Sequence, residues 1–429
     1  MSQRPWRTRA PRVPFPRPFR LFAGLAAIIL ASAIPAGTPL GAGPLGAGPL
    51  GIGSPATVQA ASCPSSLQSL VNHAASGSTL SVPACTFHES VTINKRLTLL
   101  AHGAVIDGDN SRSAGLVVTA SHVTVDHLTV QNVKAGDHRG GIYVSGVSYF
   151  SLRHSLVRYG GPACLSLNGG TGHRISYNRF ASCAQEGFFV NGVSNTVFYG
   201  NHIDHNNPHR AYDWTVEAGG GKTMNSTGVT FDHNKVNNNR GPGLWFDNHA
   251  RNVRVVHNRI YSNDREGVFF EISDGATIAA NSIWKNGFGF AAWGYGAGIT
   301  ISSSDRAHVY GNTLAWNARQ ISVISQNRNS PPHVGTVVHD NIMISASGEK
   351  VAGWYDDHGG SLFSSANGNH GYRDRFWVGV REPSGGRFEW SGGRSTLSAY
   401  NRTRGEESGK YMTTSQRNTA LKAAGIPLP

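Results

Sequence analysis

Cysteine is scarce in this chain, charge is thin, and long apolar runs are missing. Four cysteines and four methionines occur in 429 residues, and charged residues make up only 15%. No apolar stretch reaches the ~20 residues that a membrane-spanning helix requires. Amphipathic patterns of helical length are also absent between the apolar segments, so helices do not cover the strands. No Cys/His spacing suits a zinc site, and Lys and Arg are scattered rather than clustered, which excludes a nucleic-acid module. Gly219-Gly220-Gly221-Lys222-Thr223 imitates the end of a phosphate-binding loop. The glycine required five residues before Gly221 is Val216, so nucleotide binding is excluded.

Acidic residues are outnumbered, 25 Asp and Glu against 38 Lys and Arg, for a formal charge of +13. Part of that excess belongs to the N-terminus. Arg4, Arg7, Arg9, Arg12, Arg17 and Arg20 precede the apolar run from Leu21 to Ile34, and Ala31-Ser32-Ala33 offers a cleavage site. Residues 1–33 therefore read as a signal peptide, with a membrane anchor as the alternative. Residues 34–61, rich in Pro-Leu-Gly-Ala-Gly, read as a linker. The remainder carries about +7, which suits an acidic polymer outside the cell. The even cysteine count in an exported chain suggests two disulfides, and the local pairs Cys63–Cys85 and Cys164–Cys183 are favoured over buried free thiols.

What the chain has in abundance is glycine, asparagine and short alternation. Asn178-Arg-Phe, Asn201-His-Ile, Asn234-Lys-Val, Asn258-Arg-Ile, Asn281-Ser-Ile, Asn312-Thr-Leu and Asn341-Ile-Met recur at spacings of 23, 33, 24, 23, 31 and 29 residues. Ahead of them run glycine-led segments of period-two hydrophobicity, such as Gly141-Ile-Tyr-Val-Ser, Gly187-Phe-Phe-Val-Asn, Gly243-Leu-Trp-Phe-Asp, Gly267-Val-Phe-Phe-Glu and Gly298-Ile-Thr-Ile-Ser. Each is a strand signal bounded by residues that tolerate left-handed turns. A 23-residue unit of several short strands makes one coil of a parallel β-helix, with coils stacked about 4.8 Å apart. The recurrent asparagine would bond the coils above and below, and the longer spacings imply loops over the binding face.

On these residues the chain resembles the right-handed β-helix (pectate-lyase-like) superfamily over about residues 63–345. The resemblance implies an all-β, single-stranded right-handed parallel β-helix at residues 62–345, opened by a short capping helix at Leu67–Val71. Residues 346–429 would form the C-terminal cap, with a closing helix from Gln416 to Ala424.

Laying the strands over one another points Ser145, Asn168, Asn191, Glu217, Asp247, Glu271 and Ser302 outward at one position, with Val216 among the inward partners. Glu217, Asp247 and Glu271 then form a carboxylate column. Such a column requires a cation, a shared proton or basic partners. Lys222, Arg240, His249 and Arg265 lie close in sequence, and Trp245 and Phe269 would offer flat faces to sugar rings. Two enzymatic chemistries fit. In a lyase, Ca²⁺ on Glu217, Asp247 or Glu271 would bridge to a uronate carboxylate while Lys222 or Arg240 removes the C5 proton. The Glu217–Lys222 spacing resembles that of calcium-dependent alginate lyases on this fold, which carry an arginine where this chain has Asp247. In a glycoside hydrolase, two of the carboxyls would act as acid and as base or nucleophile. The cluster is similar to that of polygalacturonase-like hydrolases, without their Asn-x-Asp and Asp-Asp motifs. The expected ligand is a polysaccharide, with neither nucleic acid nor nucleotide, bound by a secreted monomer. The competing reading is a non-catalytic adhesion or polysaccharide-binding module.

Overall fold

The computed structural model describes residues 62–136, 138–328, 333–346, 350–379 and 386–429. The expected signal peptide (1–33) and linker (34–61) lie outside the described residues. Thirty-eight short strands wind into three sheets of 12, 13 and 13 strands, each coil adding one strand to each sheet in strict rotation. Among the described residues every strand pairs in parallel except at a terminal hairpin, Phe388–Trp390 with Gly393–Ser395, and one isolated antiparallel bridge joins Thr403 to Glu406. The result is a right-handed parallel β-helix.

Three-residue strands suffice because each needs only one inward side chain. In the first sheet Leu152, Ile175, Phe198, Phe231, Val255, Ile278 and Val309 stand in register on successive coils, all fully buried. Stacking repeats the same contact on every coil, so one continuous core runs the length of the solenoid.

The recurrent asparagines form a ladder inside the corner between the first and second sheets. Asn178 N–H donates to Asn201 Oδ1 at 2.9 Å, Asn201 to Asn234 at 2.9 Å, Asn234 to Asn258 at 2.8 Å, and the series continues through Asn281 and Asn312 to Asn341. Each side-chain amide also donates, so one residue per coil satisfies backbone groups that the turn removes from the sheets. A second ladder, Asn206, Asn239, Asn263, Asn286 and Asn317, lines the corner between the second and third sheets.

Parallel pairing continues past residue 345 to Lys410–Tyr411, so coils occupy much of the segment expected to be a cap. The end of the core is closed by the short helix Leu397–Tyr400, where Tyr400 stacks on Phe388. The expected closing helix exists at Thr414–Ala423, but it packs elsewhere. Its Leu421 joins Trp284, Ala315 and Ile344 on the outer side of the second sheet. The N-terminal helix, Leu67–His73, is capped by Ser66 and buries Leu67 and Val71 on the first coil. Both disulfides, Cys63–Cys85 and Cys164–Cys183, are formed.

Asp374 takes the next position of the first ladder, its Oδ1 accepting from Asn341 N at 2.7 Å and Nδ2 at 3.1 Å. Burial, then the neighbouring Glu406, pushes its carboxyl well above the ordinary range. A carboxyl raised in the folded state contributes stability that is intact below its ordinary value of 3.8 and lost as pH rises through the raised one. Asp374→Asn supplies a true ladder residue. The variant is expected to be more stable by about 1–3 kcal/mol near neutral pH. Its thermal midpoint should also fall less between mildly acidic and neutral pH. A midpoint-versus-pH curve identical to the parent's would refute this.

Candidate functional site

The third sheet carries the site on its outer face. Along one outward row the register runs Tyr143, Ser166, Phe189, Lys222, Trp245, Phe269, Thr300 and Ser322. Two residues further along each strand, Met224 pairs with Asp247, and Glu271 follows one coil on, ahead of Ser302.

This corrects the expected carboxylate column. Met224 occupies the position assigned to Glu217, and Val216, expected inside, is 64% exposed. The strand of that coil is Gly219–Met224, the stretch that imitates a phosphate loop. Its inward Gly221 lies against Phe188, where an added Cβ would fall 2.5 Å from the ring. Phe188, Phe198 and Phe231 pack with ring centroids 4.5–5.2 Å apart and fill the space a larger inward side chain would take. Glycine there is a packing requirement, and it erased the apolar alternation that would have marked the strand.

Glu217 nevertheless joins the site from the end of the loop between Asp204 and Gly219. Gln185 Nε2 donates to its carbonyl at 2.8 Å and its carboxylate at 3.3 Å, and His138 Nδ1 lies 3.0 Å from the carboxylate. Behind it stands Glu186, fully buried. Burial first, then the charge of Glu217, pushes the Glu186 carboxyl well up, so it is a proton-holding partner for Glu217. The sequence did contain a signal for such residues. Glu186-Gly-Phe-Phe and Glu266-Gly-Val-Phe place a glutamate directly before the strand glycine on two coils.

Lys222 sits at the centre. Its Nζ is 2.9 Å from Asp247 Oδ2, donates to Val216 O at 2.9 Å, and lies 4.0 Å from the centroid of the Trp245 ring. Both partners of the ion pair are nearly buried, at 7% and 8% side-chain exposure. One coil on, Glu271 is paired with Arg328, which also donates to Tyr295 Oη at 3.0 Å. Burial raises the Glu271 carboxyl despite the opposing charge of Arg328.

The expected sugar platform is not an open face. Lys222 covers one side of Trp245 and Phe269 stacks on it at 5.3 Å, because a one-coil step is itself a stacking distance. Phe269 is in turn met edge-on by Tyr295. Arg265 is a buried tie rather than an exposed ligand group. It donates to Trp214 O at 3.0 Å, pairs with Glu266 at 3.1 Å and spans the Phe269, Phe290 and Tyr295 rings. It thereby anchors the two long loops, residues 205–218 and 285–296, that overhang the sheet. Arg240 is turned away to Asp264 at 3.1 Å, and His249 is exposed at the turn after Asp247. The second loop exposes two aromatics, Phe288 at 61% and Trp293 at 41%, and Trp293 is the one whose ring meets Tyr295 of the site.

The residues do not fit a Ca²⁺ ion bridging Glu217, Asp247 and Glu271. Each carboxylate already faces His138, Lys222 or Arg328, and a divalent ion beside an ammonium 2.9 Å from its ligand would be repelled. Among the described residues, no metal-sized group of His, Cys, Asp and Glu includes these three.

The family model for the right-handed β-helix region matches residues 140–314. Among solved structures, the A-module of mannuronan C-5 epimerase AlgE6 from Azotobacter vinelandii aligns over 81% of this chain and 93% of its own, at 14% identity and a TM-score of 0.52. The AlgE4 A-module from the same organism aligns over 77% and 94%, at 13% identity and a TM-score of 0.50. No curated protein matches the chain.

Proposed function

We propose that this right-handed parallel β-helix protein is an extracellular enzyme that cleaves a uronate-containing polysaccharide, by glycoside hydrolysis. The observation that carries the chemistry is the pair Asp247 and Glu271. They stand one coil apart, about 4.8 Å by strand spacing. Asp247 is held by the Lys222 ammonium, whereas burial keeps a proton on Glu271 to higher pH. A carboxylate paired with an ammonium and a neighbouring carboxyl whose proton burial retains suit the nucleophile and the acid of a double displacement, and a spacing near 5 Å suits retention. Glu271 would protonate the leaving oxygen while Asp247 attacks or stabilises the anomeric centre.

Lys222 is better suited to charge stabilisation than to proton abstraction, since its donors already reach Asp247 and Val216. With Arg328 it makes the surroundings cationic, which favours a uronate carboxylate. The epimerase modules of similar fold are named for mannuronan, which agrees with that class of ligand. Two disulfides support an oxidising compartment. Among the described residues, no helix is long and apolar enough to cross a membrane.

The deciding assay follows reducing ends and the ultraviolet absorbance of unsaturated products together, on a panel of uronate polysaccharides. Reducing ends alone support hydrolysis. Both signals together would establish a lyase, and silence in both with binding intact would indicate an adhesion module. Chelator is expected to leave the rate unchanged within about twofold, because Lys222 and Arg328 already supply the positive charge; a rate restored only by Ca²⁺ would contradict this. Trp293→Ala is expected to weaken polysaccharide binding roughly tenfold with little change in maximal rate. Unchanged KM would place the sugar elsewhere.

A further inference from the structure

The corner between the first and second sheets presents a surface unrelated to the site above. On most coils the residue just before the ladder position takes a left-handed backbone, which turns its side chain outward. On four coils that residue is histidine: His127 (φ 58°), His154 (49°), His233 (57°) and His257 (56°). One-coil spacing stacks the rings in pairs, His127 with His154 at 4.8 Å and His233 with His257 at 4.9 Å. The strand preceding the first histidine of each pair ends in an aspartate. Asp126 Oδ1 lies 2.7 Å from His127 Nδ1 and 2.9 Å from His154 Nδ1. Asp232 Oδ1 lies 2.6 Å from His233 Nδ1 and 3.0 Å from His257 Nδ1.

The same constellation is thus built twice, Asp-His on one coil and His on the next. In each, two imidazole nitrogens and one carboxylate oxygen lie within 4.8 Å of one another, close enough to share an ion. Two imidazoles and a carboxylate are the donor set of borderline divalent metals, and the half-exposed rings leave further coordination positions open to water. We propose that Asp126–His127–His154 and Asp232–His233–His257 are two surface sites for a divalent transition metal of the Zn²⁺ class. The two differ in one respect. Arg153 Nε lies 2.9 Å from the other oxygen of Asp126, while no arginine is paired with Asp232 among the described residues. The Asp232 site is therefore the tighter one.

Zn²⁺ titration calorimetry on the purified chain, compared with His154→Asn, His257→Asn and the double variant, tests this. Asparagine is chosen because it adopts the left-handed backbone these positions need. Each single variant is expected to bind one Zn²⁺ fewer than the parent and the double variant two fewer, with thermal midpoints in chelator unchanged. Of the singles, His257→Asn removes the higher-affinity phase. Equal stoichiometry in parent and double variant overturns the proposal, and a loss confined to one single variant overturns it for the other site.

Discussion

Under the proposed mechanism, Asp247→Asn is expected to lower polysaccharide turnover by about 10²- to 10⁴-fold while leaving binding in place. The substitution keeps shape and hydrogen-bonding capacity but removes the negative charge that the reaction centre requires. Under the proposed roles the dissociation constant should move little and the loss should appear in kcat. Glu271→Gln tests the complementary role, because it removes the proton that burial retains on that carboxyl. Substrates with a good leaving group need less protonation, so they should lose far less rate in this variant than in Asp247→Asn. If Asp247→Asn retains parental turnover, the Asp247–Glu271 pair is not the catalytic pair and the hydrolase assignment falls.

Lys222→Met is expected to destabilise the fold by about 3–5 kcal/mol, the cost of removing one partner from a buried ion pair. Methionine preserves the length and much of the volume of the side chain, so the cavity contribution is small. What is lost is the cation that faces Asp247 at 2.9 Å, with Glu186 and Glu217 close behind. Neutralising the orphaned partner should restore part of the loss, so Lys222→Met with Asp247→Asn is expected to be more stable than Lys222→Met alone. Denaturant unfolding of the three variants supplies the comparison. A single variant within about 1 kcal/mol of the parent would show that water or neighbouring groups solvate Asp247 well enough without Lys222.

The two kinds of residue in this chain were not equally legible. Asn178 through Asn341 could be placed at a corner from their spacing alone, since the same turn must be made once per coil and the same side chain meets its demand each time. The second ladder, Asn206 through Asn317, stands five residues after the first on each of five coils, so its spacings of 33, 24, 23 and 31 repeat those of the first and it was equally legible. Glu217 was not. An acidic residue after an apolar one looked like a strand end, while the true strand, Gly219–Met224, had exchanged its inward side chain for glycine to accommodate Phe188.

Periodicity by itself carried the parallel β-helix and the presence of long loops, and short chain separation favoured the two local disulfides that the structure forms, because these depend on repeated or local geometry. Only the tertiary structure decided which charges meet. Lys222 and Asp247 come from adjacent coils, Arg328 reaches back to Glu271 from a later turn, and Arg265 holds down loops from either side. Those contacts depend on a register that a single glycine-rich coil shifts, and on loops whose course no repeat constrains. Burial, which raises Glu186 and Glu271 and covers Trp245, arises only when the loops close over the sheet.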